Sequence, residues 1–122
     1  MEPYMRRLLL GGLALLFLVS SVGAATAPAF PFRTYSDLSV TSPSVPVCEN
    51  GGEMTQLGPE WRVLSWVDRD LFIHFDSTGT PDWVYLTLGQ AEGEISVKHV
   101  LHIDEAKRIY PTGCEYGDDK DA

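Results

Sequence analysis

The sequence predicts a mainly β domain: a small antiparallel meander sheet of about four strands, closed by one disulfide, with a short helical turn near its C-terminus. Three observations carry this. Between Trp61 and Ile103, the runs WRVLSWVD, LFIHFDS, WVYLTLG and EISVKHVLHI are rich in β-branched and aromatic residues. The connections DRD, STGTPD and QAEGE are short and built from turn formers, as hairpins require. The two cysteines of the chain, Cys48 and Cys114, bracket these runs.

The N-terminus predicts export. Arg6 and Arg7 precede the apolar run LLLGGLALLFLVSSV (8–22), and small residues follow at GAATA. This is the order of a secretory signal peptide, placed over residues 1–24 with Val22 and Ala24 at the small-residue positions of the cleavage site. The run falls short of the ~20 apolar residues of a spanning helix. A periplasmic or secreted protein with no membrane insertion after cleavage is the expectation.

Residues 25–47 hold Pro28, Pro31, Pro43 and Pro46 among Ser and Thr, which predicts an extended arm with at most a short strand at TYSDLSV (34–40). Phe30, Phe32 and Tyr35 in the arm are large apolar groups, expected to cover one face of the sheet. Residues 48–116 form the disulfide-closed β domain. In its second run Leu71, Ile73 and Phe75 alternate with Phe72, His74 and Asp76, and in its third Val84, Leu86 and Leu88 alternate with Trp83, Tyr85 and Thr87. Large residues therefore fall on both faces. In the fourth run, Ile95, Val97, His99, Leu101 and Ile103 alternate with Ser96, Lys98, Val100, His102 and Asp104. DEAKRIY (104–110) reads as a helical turn with Asp104 as N-cap and Lys107 and Arg108 near its end. Residues 117–122 (GDDKDA) form an acidic tail, expected to fray.

Composition narrows the partners. The chain carries a net charge of −8, which becomes −9 when Glu2, Arg6 and Arg7 leave with the signal peptide. Nucleic acid and anionic lipid both ask for a basic patch, so neither is expected. A basic protein partner is. In an oxidising compartment, Cys48 and Cys114 pair intramolecularly. The chain has no Cys-x-x-Cys motif, and its only asparagine, Asn50, precedes Gly-Gly and so offers no glycosylation sequon.

Catalytic motifs are not found. The sequence lacks Gly-x-Ser-x-Gly, His-Glu-x-x-His and a phosphate-cradling glycine loop. DSTGT (76–80) carries Ser77 where phosphorylated-aspartate pumps carry lysine, and its composition suits a hairpin loop. No enzymatic activity and no cofactor are expected. His99 and His102 point to opposite faces of a strand, so KHVLHIDE (98–105) does not chelate an ion by itself. A metal alternative draws on His74, His102 and Asp104. Binding of a protein remains, through aromatic residues beside acids. Trp66, Asp68, Asp70, Asp82 and Trp83 are the contact candidates. The function expected is that of a periplasmic inhibitor or immunity protein against a basic cell-wall-degrading or toxin enzyme. The alternatives are a metal- or small-ligand-binding protein and a structural component of an envelope assembly.

Overall fold

The computed structural model describes residues 26–88 and 93–122. The predicted signal peptide and most of the connection QAEGE lie outside the described residues. The sheet is antiparallel throughout and runs in sequence order: β1 (Val45–Pro46), β2 (Glu53–Leu57), β3 (Trp61–Ser65), β4 (Arg69–Phe75), β5 (Pro81–Leu88) and β6 (Val97–His102). The meander is as predicted, with six strands where about four were expected. The two extra strands are the weakly patterned ones. β1 is two residues long, and β2 reads Glu-Met-Thr-Gln-Leu, which has no dense β-branched run.

Two register slips set which side chains share a face. Along β4 and β5, His74 pairs Trp83 but Phe75 pairs Pro81, so Asp82 is the extra residue of a bulge. Along β5 and β6, Leu86 pairs His99 but Thr87 pairs Val97, which makes Lys98 the extra residue. The second bulge corrects the simple alternation of the last run: Val97 joins one face of the sheet, while Leu101 packs on the other.

Each face packs against another part of the chain. On one, Phe72, Tyr85, Trp61, Val63 and Leu57 are buried beneath the arm residues Ala27, Phe30, Phe32 and Leu38. The Phe30 ring meets Phe72 edge-on at 4.9 Å and Trp61 at 5.7 Å. The Tyr85 hydroxyl donates to the Pro28 carbonyl. Pro28 and Pro31 keep the start of the arm out of the sheet, where side chains hold it in place, while its end, Val45–Pro46, is the edge strand β1. Between these parts the arm's backbone forms an isolated bridge between Thr34 and Glu94, and the Thr41 N–H donates to the Gln56 carbonyl of β2 at 3.0 Å. The strand allowed at 34–40 is instead a 3-10 turn, Tyr35–Asp37, whose Asp37 carboxylate accepts the Thr34 N–H at 3.0 Å.

The opposite face buries Leu64, Leu71, Val84 and Leu86 under a helix, α1 (Ile103–Ile109), and under a C-terminal 3-10 segment, Cys114–Asp118, which inserts Tyr116. α1 confirms the helical turn but corrects its cap. His102 is the N-cap, in extended conformation, and its Nδ1 accepts the Asp104 N–H at 3.2 Å. Asp104 and Glu105 lie in the first turn, and Lys107 and Arg108 in the last, which matches the helix dipole. The acidic tail is tied back at its start, where Arg69 Nη1 donates to the Tyr116 carbonyl at 3.1 Å and the Asp119 carbonyl at 2.6 Å. The disulfide Cys48–Cys114 forms with Cα atoms 5.6 Å apart. It joins the approach to β2 to the C-terminal segment.

Candidate functional site

The predicted contact residues do not form one patch. Trp66 and Asp68 belong to the β3–β4 turn, whereas Asp82 and Trp83 lie at the start of β5, by the β4–β5 loop. β4 separates the two groups, and its seven residues span about 20 Å. Asp70 is corrected outright. It is 2% exposed, its carboxylate accepts the Tyr35 hydroxyl, and its N–H bonds Thr87 Oγ1 at 3.0 Å. A buried carboxylate needs such partners, and this one links the arm to the sheet instead of meeting an outside molecule.

At the β5 end, Asp82 is likewise engaged. The bulge turns its carboxylate onto His74, with Oδ1 2.7 Å from Nδ1. Glu60 Oε1 stands 3.5 Å from His74 Nε2, and the imidazole packs on Trp61 with ring centroids 4.9 Å apart. His74 thereby ties the β2–β3 turn to the start of β5. Both its nitrogens are taken up by carboxylates.

The metal alternative does not assemble. His74 and His102 are both cross-strand neighbours of Trp83, one on each side, which places them two strand spacings, or roughly 10 Å, apart. His102 packs against the Trp83 ring at 5.1 Å and uses Nδ1 to cap α1. Asp104 lies 3.6 Å from that same nitrogen. Among the described residues no group of three or more His, Cys, Asp or Glu side chains is arranged to hold a metal ion.

The other end of the sheet is organised differently. The β3–β4 connection is a two-residue hairpin closed by the Trp66 N–H to the Arg69 carbonyl at 2.9 Å. Val67 stands at its tip, 96% exposed. Asp68 beside it is exposed and pairs with Arg69 at 3.1 Å, which holds its carboxyl below the usual range, chiefly through that hydrogen bond. Behind the tip, Trp66 Nε1 donates to Asn50 Oδ1 at 3.0 Å, and Asn50 Nδ2 donates to the Cys114 carbonyl at 2.9 Å. The indole donor and the carbonyl acceptor leave the Asn50 amide one orientation. The disulfide is immediately adjacent.

Two hollows flank this tip, and a third adjoins them at Asn50. One is lined in part by Asn50, Trp66, Val67 and Asp68, the next by Glu53, Trp66 and Val67, and the third by Glu49, Asn50, Glu115 and Asp118. Among the described residues, five carboxylates thus face these hollows, and no Lys, Arg or His lines any of them. Sequence reading identified Trp66 and Asp68 but missed Val67, Asn50, Glu49, Glu53 and Asp118. One signal was available: a β-branched valine in a tight hairpin, where Gly, Asn or Asp is the usual choice, is a residue the turn itself does not ask for.

No protein-family model, no curated protein and no solved structure matches this chain.

Proposed function

We propose that this chain is an exported protein-binding domain that occludes a basic enzyme, as a periplasmic inhibitor or immunity protein does, with the Trp66–Val67–Asp68 hairpin as its docking end. The observation that carries the reading is the tip itself: an exposed apolar side chain, projecting from a braced hairpin beside hollows whose charged lining groups, among the described residues, are carboxylates. An apolar anchor within a charged rim is how interfaces combine affinity with selection of partner. The acidic rim speeds encounter with a basic surface. Bracing by Asn50 and the disulfide lowers the ordering cost of binding. The apolar run at 8–22 behind Arg6 and Arg7, together with a disulfide, supports an exported location.

The test is affinity capture from envelope and secreted fractions on the oxidised domain (25–122), followed by assay of what is retained. A single basic hydrolase or toxin, released by salt and inhibited when the domain is added back, supports the reading. Retention of nothing, or of a basic enzyme whose activity is unchanged by the domain, rejects it.

A further inference from the structure

The helix-covered face of the sheet is incompletely covered. α1 has seven residues and so spans roughly 10 Å, while six strands at their usual spacing span about 24 Å. The helix lies over β5 and β6. Beside it, towards β3 and β4, a half-open cavity of about 220 Å³ remains. Leu71, Ile73 and Val84 form its apolar floor, and they are the same aliphatic side chains that continue under the helix as core.

The charged groups at this cavity are of one sign. Among the described residues, Arg62 and Lys107 line it and no carboxylate does, in a chain whose net charge is −8. The Arg62 guanidinium lies over the Phe75 ring at 4.6 Å and spends Nε on Gln56 Oε1 at 2.9 Å. Its two terminal nitrogens have no acceptor among the described residues. Lys107 has no ion-pair partner among them either, although its neighbour Arg108 pairs with Glu105. Stacking on Phe75 pre-orients the guanidinium, which lowers the entropy lost on taking up an anion.

We infer that this cavity binds a small apolar anion, a single ring or branched chain bearing one carboxylate. The apolar part would lie on Leu71, Ile73 and Val84 and the carboxylate between Arg62 and Lys107. The volume sets the size of the occupant. At about 220 Å³ the cavity is smaller than the ~300–1,000 Å³ of drug-sized pockets, so it admits one such group and not a long chain. The cavity shares Thr112 with the third hollow of the docking end, but none of its charged or floor residues lines that end, so it stands or falls independently of the function proposed above.

The test is calorimetric and NMR titration of the oxidised domain with phenylacetate and 4-methylpentanoate, each beside its neutral amide. Saturable binding of the carboxylates, about tenfold tighter than that of the amides and with the largest shifts at the Ile73 and Val84 methyls, is expected. Arg62→Gln with Lys107→Gln, both on exposed side chains, should reduce carboxylate affinity to the level of the amides, with only a small fall in melting temperature from the lost contacts of Arg62 with Phe75 and Gln56. Equal affinity for carboxylates and amides would overturn the inference. So would shifts centred elsewhere, or no saturation by either at millimolar concentration.

Discussion

The indole of Trp66 lies against the backbone of Gly117 so closely that a Cβ on that glycine would overlap Nε1 of the ring and stand 2.8 Å from Asn50 Nδ2. Gly52 meets the same ring, where a Cβ would come within 2.9 Å of the indole and 2.8 Å of the Cys48 sulfur. Trp66 is therefore held between two glycines, and those contacts aim the hairpin that carries Val67.

Substitution at either glycine follows directly. Gly117→Ala forces the indole or the 3-10 segment to move, and an overpacked site of this kind costs about 1–3 kcal/mol. Denaturant unfolding should show that loss, with a change in near-ultraviolet tryptophan signal. A variant as stable as the parent, with its tryptophan signal intact, would mean that the indole does not press on Gly117.

The disulfide closes a sequence separation of 66 residues. Replacing Cys48 and Cys114 together with serine should lower stability by about 4 kcal/mol on the chain-entropy account, a large share of the total for a domain this small. The readout is the urea midpoint of the double variant against the oxidised parent. A fall of less than about 1 kcal/mol would show that other contacts hold the unfolded chain together.

The arm is fastened by aromatic packing. Phe30→Ala removes a half-buried ring that touches Trp61, Phe72 and Tyr85. Full truncation of a core phenylalanine costs about 3–5 kcal/mol, so about 2 kcal/mol is expected for this partly exposed one. Hydrogen exchange should rise at Tyr35 and Ile95, whose amides bond across the junction of arm and sheet. Unchanged exchange there would show that backbone pairing, at the Thr34–Glu94 bridge, at Thr41 and in β1, secures the arm without this ring.

Alkaline pH probes both faces at once. The Tyr85 and Tyr116 phenols are pushed up to about 12, burial being the main cause in each and nearby carboxylates adding to it, while Arg69 acts against it at Tyr116. A folded value above the ordinary 10 means that the folded state holds its proton more tightly. This stability is fully present below pH ~10 and is lost as pH rises towards 12. Melting temperature should hold to about pH 10 and then fall as phenolate absorbance grows. Phenolate appearing near pH 10 without loss of stability would contradict the burial of these rings.

The strands that carry dense β-branched and aromatic runs, WRVLSWVD to VKHVLHI, were legible because their period and turns agree. β2 was not, because Glu53, Thr55 and Gln56 fit an edge region half open to solvent as well as they fit a loop. The bulges at Asp82 and Lys98 leave no mark in local composition, yet they decide which face Val97 takes and place Asp82 on His74. Asp70 looked available because acids beside a turn normally face water, and only the return of Tyr35 from the arm shows otherwise. The docking end was half legible. Trp66 and Asp68 are local to one turn, but Asn50, Glu53 and Asp118 reach it through pairing and the disulfide, which no short window contains.

The most direct measurement compares capture by the parent domain with capture by a variant carrying Glu53→Lys, Val67→Asp and Asp68→Lys, all exposed and outside the core. One basic enzyme should be bound stoichiometrically and inhibited by the parent, with binding weakening steeply as salt rises, and should be lost by the folded variant. The same enzyme held equally by both, with the same salt dependence, would contradict the assignment of this hairpin as the docking end.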